Sequence, residues 1–208
     1  QAYADSVPIL LLPGGPPRSR AGAGLTFEAV ENYKGITKWV SNINSAARIP
    51  EMMHRAYSLM KQGKPGPVML EIPPDVGDEE IPNDAFDYTP VKPFKTGASP
   101  EDVRDLVSAL LRADCPVISA GQGVLYAEAS EALIEFAEWT KIPVMTTLAG
   151  KSAFPETHPL SLGTGAASHS LMVSEYLKKA DFFFGIGTSM TSGFKADVPT
   201  NAVLGQCV

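Results

Sequence analysis

Gly63-Lys64-Pro65-Gly66-Pro67-Val68-Met69-Leu70-Glu71-Ile72-Pro73-Pro74-Asp75-Val76 is a punctuated unit in which each boundary has its own chemistry. Gly63 suits the left-handed residue that follows a helix, and Pro65 cannot continue one. The Gly66-Pro67 step launches the apolar run 68–72, and the Pro73-Pro74 pair stops it. A short apolar run between such breakers predicts a strand buried on both faces, the kind that parallel sheets contain.

Outward from this unit the same grammar repeats. Further apolar runs occupy 7–12, 117–120, 143–146 and 181–186, and three runs open alike, as Val7-Pro8-Ile9, Cys115-Pro116-Val117 and Ile142-Pro143-Val144. Proline is tolerated at the first residue of a strand, where its missing donor costs least. Between the runs lie helical stripes. Ile49, Met52, Met53, Ala56, Tyr57 and Met60 form one. Val103, Leu106, Val107, Leu110 and Leu111 form a second, with Ser99 as N-cap, Pro100 at the first helical position and Glu101 and Asp102 in the first turn. Ala129, Leu133, Phe136, Ala137 and Thr140 outline a third, within a helix expected over 126–140. Strands alternating with such helices predict an α/β fold with parallel sheets. From 77 to 98 the chain turns polar and proline-rich, without helical or strand period. The expected architecture is therefore two partial three-layer parallel-sheet domains, 1–76 and 99–208, joined by a linker over 77–98.

The 208 residues are 44% hydrophobic and 19% charged, enough apolar material for a packed core. A formal charge of -6 excludes the Lys/Arg excess that a phosphate-backbone surface needs, so no nucleic-acid partner is expected. The aliphatic run at 7–12 is far shorter than the roughly 20 residues of a membrane span, so no membrane partner is expected either. Cys115 and Cys207 form neither a metal spacing nor a Cys-x-x-Cys pair, which favours a reducing, cytoplasmic setting with Cys115 a buried, inert thiol. The start at Gln1 without Met, and an end at Val208 with no closing helix, predict a piece of a longer protein.

Three phosphate or nucleophile motifs fail on spacing. Gly150-Lys151-Ser152 resembles the end of a P-loop, but Met145 stands where that loop needs glycine. Gly187-Thr188-Ser189 begins like a nucleophile elbow, but Thr191 replaces its closing glycine. Gly121-Gln122-Gly123 follows a strand as in a dinucleotide-binding turn, with Tyr126 at the third glycine position. This last turn still lets backbone donors and a helix amino terminus approach an anionic ligand. His54, His158 and His169 have no partners at triad or metal spacing, and no metal-ligand set is read from the sequence.

Several segments, in order, resemble the thiamine-diphosphate-dependent enzyme superfamily, most closely its acetolactate-synthase-like branch. Val7-Pro8-Ile9-Leu10-Leu11-Leu12-Pro13-Gly14-Gly15 is similar to its strand and Gly-rich turn. Thr26-Phe27-Glu28 is similar to its helix start, and Thr37-Lys38-Trp39 to its Thr-Lys-aromatic turn. The opening stretch resembles the family's "GRPGPV-strand-IPxDV" segment. Thr146-Thr147-Leu148-Ala149-Gly150-Lys151-Ser152-Ala153-Phe154-Pro155-Glu156-Thr157-His158-Pro159-Leu160 resembles its "TTLMGKGAFPEDHPL". Ala120-Gly121-Gln122-Gly123-Val124 and the run from Ala180-Asp181 to Gly187-Thr188 resemble further central-domain segments.

The resemblance implies that 1–76 is the later half of a pyrimidine-binding domain and 99–208 a central domain. It implies a 2-keto acid decarboxylase or carboligase using thiamine diphosphate and Mg²⁺, assembled as a homodimer or homotetramer. The family's activating glutamate and its Gly-Asp-Gly…Asn segment do not match any stretch here, so no catalytic residue is assigned and the chain alone is expected to be inactive. Phe27 and Glu28 are the implied active-site contacts. Gly14, Gly15 and Lys38 are implied to lie behind them, and Gly121, Gln122, Gly123, Thr147 and Leu148 to line a groove for a nucleotide-like cofactor such as FAD. The chain departs from the branch at Glu28 (Gln in the family), Pro74 (Lys), Ala149 (Met) and Ser189 (Arg). The last change removes a fixed positive partner for a flavin diphosphate. Two other readings stay open: a non-catalytic nucleotide-binding or structural α/β module, and an unrelated isomerase or dehydrogenase.

Overall fold

The computed structural model describes residues 1–24, 26–82, 88–92, 96–165, 169–190 and 199–208. Thr191 and parts of the polar connecting stretch, 83–87 and 93–95, lie outside the described residues. The chain divides into two compact units, Gln1–Thr96 and Gly97–Val208.

In the first unit the stretch around Val68 does what its punctuation requires. Helix α2 (Ile49–Lys61) ends with Gln62 as its C-cap, and Gly63 follows at φ +60°. Strand β3 (Val68–Glu71) is buried along its whole length. It is the centre of a three-stranded parallel sheet, flanked by β1 (Leu10–Leu11) and β2 (Trp39–Asn42). Leu10 and Trp39 both pair with Val68, which fixes the register. Pro74 then opens the short helix α3 (Pro74–Gly77). Val68 and Leu70 pack on Met52, Ala56 and Met60 of α2, with Ile43 and Val76 closing the cluster. The run expected at 7–12 pairs as a strand only over Leu10–Leu11, since Pro8 and Pro13 have no N–H to donate and Ile9 and Leu12 are exposed at this sheet edge. Between β1 and β2 sits α1 (Ala29–Tyr33).

The connecting stretch is not free of the first unit. Arg18 donates through Nε to Asp75 Oδ2 at 2.7 Å and pairs through Nη1 with Glu79 Oε1 at 2.7 Å. It also donates to Asn44 O at 3.1 Å, and Glu79 Oε2 accepts the Ala46 N–H at 2.7 Å. One guanidinium thus ties together the segments that follow β1, β2 and β3. The Arg18 hydrogen bond holds the Asp75 carboxyl below its ordinary range, and the Ala46 N–H together with Arg18 does the same for Glu79. Carboxyls depressed on folding contribute stability above their unfolded pKa values and lose it as pH falls through the folded ones. Urea midpoints of the wild type and Arg18→Gln are therefore expected to differ at pH 7 and to converge as pH falls through and below the ordinary carboxylate range. A gap independent of pH would dismiss the clamp.

The second unit is a five-stranded parallel sheet. Its strands are β4 (Pro116–Ala120), β5 (Val144–Thr146), β6 (Ser161–Thr164), β7 (Phe182–Ile186) and β8 (Val203–Cys207). Their order is β6-β5-β4-β7-β8, so the winding reverses at β4. Alternate side chains feed two cores. Ile118, Ala120, Val144, Phe182 and Phe184 face α4 (Pro100–Leu110), α5 (Gln122–Tyr126) and α6 (Ser130–Thr140). Val117, Met145 and Phe183 face α7 (Leu171–Leu177). This is the expected α/β class, with helices on both faces. Ser99 caps α4 by accepting the Glu101 N–H at 3.3 Å. The single helix expected over 126–140 is instead two, α5 and α6, because Glu128 adopts φ +54° between them. Cys115 is half-buried rather than buried, and Cys207 is exposed.

Among the described residues, no helix is long and apolar enough to cross a membrane.

Candidate functional site

In a parallel sheet the turns that can hold ligands collect at the carboxyl edge, and a reversal of winding opens a crevice there. In the second unit that reversal lies between β4 and β7, where Gly121, Gln122 and Gly123 meet Gly187. Two of the turn's three main-chain donors are already used. Gly121 N–H donates to Ile186 O and Gly123 N–H to Gly187 O, both at 2.8 Å. Thr147 N–H donates to Ala120 O and Gly187 N–H to Cys207 O, also at 2.8 Å. A Cβ on Gly123 would stand 2.6 Å from Gly187 Cα, and one on Gly150 2.5 Å from Ala120 O. The glycines therefore exist so that the turns after β4, β5 and β7 can touch one another. This corrects the reading in which Gly121 and Gly123 expose backbone to a phosphate. The following helix, α5, is only five residues long.

Of the other groove residues, Thr147 is buried and its Oγ1 accepts the Gly150 N–H at 2.9 Å. Gln122 donates to the Tyr126 hydroxyl at 2.7 Å, and Leu148 is 71% exposed. Gln122 and Leu148 are thus the groups left facing solvent on this rim. The lysine of the P-loop-like triplet, Lys151, pairs with Glu156 at 3.2 Å. His158 is a loop anchor: its Nδ1 accepts the Leu160 N–H at 3.2 Å, and its ring meets Phe154 edge-on at 4.9 Å.

In the first unit Gly14 bridges to Ile72 and Gly15 N–H donates to Ile72 O at 3.2 Å, which puts both at the carboxyl edge. Lys38 is at the other edge. Its N–H donates to Pro67 O, before the strand begins, and its ammonium donates to Gln62 O at 2.7 Å and Lys64 O at 2.8 Å. Four residues of strand separate the two ends, roughly 13 Å. Lys38 is therefore a brace for the turn after α2, not a neighbour of Gly14 and Gly15; partial burial holds its ammonium below the ordinary lysine range. Phe27 and Glu28 stand at the start of α1, with Phe27 67% exposed and edge-on to Tyr33 at 6.4 Å. An apolar groove over α2, lined by Ile49, Pro50, Met53, Tyr57 and Tyr88, contains no charged group.

The sequence reading missed one polar pair at the carboxyl edge: Asn42 Nδ2 donates to Glu71 Oε2 at 2.7 Å. The signal was present, since a glutamate within an otherwise apolar, doubly buried run has to point at something polar.

The reversed winding order and paired helical layers define the second unit as a doubly wound domain of the nucleotide-binding type of architecture. Residues 103–203 match the model of the thiamine pyrophosphate enzyme central domain. Glyoxylate carboligase of Escherichia coli O157:H7 is 37% identical over 190 residues, 89% of this chain and 32% of that protein. A probable acetolactate synthase large subunit of Methanocaldococcus jannaschii is 35% identical over 206 residues, 95% of this chain and 34% of its own length. The chain thus spans about a third of the length of these relatives. The crystal structure of benzoylformate decarboxylase from Polynucleobacter necessarius shares the fold, with a TM-score of 0.80 at 24% identity over 99% of this chain and 40% of that one. This chain belongs to the thiamine-diphosphate-dependent enzyme superfamily, beside the acetolactate synthases and glyoxylate carboligase.

Proposed function

We propose that this chain is part of a cytoplasmic, homodimeric or homotetrameric enzyme that decarboxylates a 2-keto acid with thiamine diphosphate and Mg²⁺, then ligates or releases the aldehyde unit. In this reading 1–76 is the later half of the pyrimidine-binding domain and 99–208 the central domain. The observation that carries it is the central-domain match over 103–203, within a chain whose relatives align along most of its length. The cofactor, when bound, supplies the carbanion chemistry. Among the described residues, no group of three or more His, Cys, Asp or Glu is placed to hold a metal. In this reading the anchors of the metal-diphosphate end of the cofactor lie in the part of the longer protein outside residues 1–208. Phe27 and Glu28, exposed at the start of α1, are the proposed contacts of this chain with the reacting centre.

A second reading, in which the central unit is a structural module, is favoured by the glycine turns. Gly121 and Gly123 spend their N–H groups on Ile186 O and Gly187 O rather than leaving them for a flavin diphosphate, so FAD binding there is expected to be weak. The activity is tested with pyruvate and glyoxylate, thiamine diphosphate and Mg²⁺, by CO₂ release. The longer protein that contains this chain should turn over, and residues 1–208 alone should not exceed the blank. No release from either 2-keto acid by the longer protein would sink the catalytic reading. Turnover by residues 1–208 would show that the cofactor's anchors lie inside them.

A further inference from the structure

The two ring nitrogens of His158 hold two different partners. Nδ1 accepts the Leu160 N–H at 3.2 Å, and Nε2 lies 3.4 Å from Glu138 Oε1 on α6. A neutral imidazole has one N–H and one bare nitrogen. With Nδ1 spent as an acceptor, the ring hydrogen is on Nε2, aimed at the carboxylate. The His158 side chain is 16% exposed, so a proton from solvent can reach it, and its ring lies edge-on to the buried Phe154.

Protonation acts oppositely on the two contacts. A second proton has only Nδ1 to occupy, where it would face the Leu160 N–H, donor against donor. The bond to Leu160 is then lost, while the cationic ring is drawn to Glu138. Among the described residues no other charged side chain pairs with the ring. Lys151 and Glu156, on its own segment, are paired with each other at 3.2 Å. Glu131 and Glu135 lie along α6 and Lys141 follows it, and β5 and β6 carry no charged residue. Leu160 is the joint between this segment and the sheet. Its O accepts the Val144 N–H at 2.9 Å where β5 begins, its side chain packs on the core that Phe154 fills, and the next residue opens β6. β6 is an edge strand, with one neighbour to hold it.

We propose that His158 is a proton-operated latch on the segment from Phe154 to Leu160. Neutral, it ties the Leu160 amide to the loop; protonated, it shifts its grip to Glu138 and frees that amide at the entry to β6. This does not depend on the catalytic reading, because every group involved lies within the second unit and no cofactor takes part.

The test reads ring nitrogen shifts and amide hydrogen exchange of the 208-residue chain at about pH 8 and about pH 5, either side of the ordinary imidazole range. At the higher pH the His158 ring should have its hydrogen on Nε2 alone, and at the lower pH on both nitrogens. Leu160 protection, corrected for intrinsic exchange, should fall about fivefold or more on acidification, the loss of one hydrogen bond. The Thr147 amide, bonded to Ala120 O, is the reference and should keep its protection. His158→Asn supplies a side-chain oxygen that can accept the N–H two residues on and does not titrate. Its Leu160 protection should be the same at both pH values. A neutral ring with its hydrogen on Nδ1, a ring still neutral at the lower pH, or Leu160 protection that holds while the ring titrates would each overturn the latch. So would an equal fall at Thr147 or in His158→Asn. The wild-type readings at the two pH values decide the matter even if the His158→Asn chain fails to fold.

Discussion

Gly121→Ala is expected to cost about 3 kcal/mol or more, beyond the usual range of a methyl forced into a packed core. The added Cβ would overlap Gly187 O and lie 2.7 Å from Thr188 Cα, and both neighbours are backbone. Backbone cannot rotate away as a side-chain tip can. Gly123→Val should behave alike, its Cβ 2.6 Å from Gly187 Cα with two further methyls to place. In a domain of this size the loss corresponds to a fall of more than about 10 °C in Tm. Gly14→Ala, where a Cβ meets nothing within 4 Å, is the control and should stay within about 0.5 kcal/mol. Thermal unfolding of the three variants checks this. If Gly121→Ala melts with the wild type but alters the binding of a nucleotide, the glycine serves ligand approach and the contact account fails.

Phe154→Ala is expected to cost about 3–5 kcal/mol, the range for removing a buried aromatic ring. Phe154 is 1% exposed and belongs to the cluster of Leu133, Ala137, Phe182 and Phe184, while its other edge meets His158. The segment 146–160, which carries much of the family resemblance, is thus a packing device as well as a rim. Its phenylalanine plugs the core, and its histidine holds the loop through the Leu160 N–H. Trp139→Ala, at a site 78% exposed, should change stability by less than about 0.5 kcal/mol despite the larger ring. Denaturant midpoints on both variants decide it; similar losses from the two would mean that burial does not set their weight.

The strands that were legible in the sequence are chiefly the central ones. β3, β4, β5 and β7 are buried on both faces and read as continuous apolar runs between breakers. β2, β6 and β8 were not foreseen, and each lies at the edge of its sheet. An edge strand has one neighbour and often one wet face, so Trp39-Val40-Ser41-Asn42 and Ser161-Leu162-Gly163-Thr164 carry no apolar run to detect. Trp39 instead lies under the Arg55 guanidinium, 4.8 Å from its ring centre. The candidate site was legible only in part. Gly14 and Gly15 lie at the carboxyl edge, but Lys38, which the resemblance groups with them, lies at the amino edge. Sequence adjacency to a strand does not say which end a side chain serves. The glycines at 121 and 123 were read as letting backbone approach a ligand. What they approach is a pairing between distant turns, and no local pattern encodes it.

The turns after β4, β5 and β7 are bonded to one another through their main chains rather than through exchangeable side chains. Such a rim is expected to open as one unit, since Gly187 carries the Gly123 N–H, abuts Val124 and is itself bonded to Cys207 O. Rigidity of that sort makes the central unit a mechanical fixture. A protein built on it would acquire new ligands by lengthening the segments outside the rim, while the rim itself would be almost unable to drift.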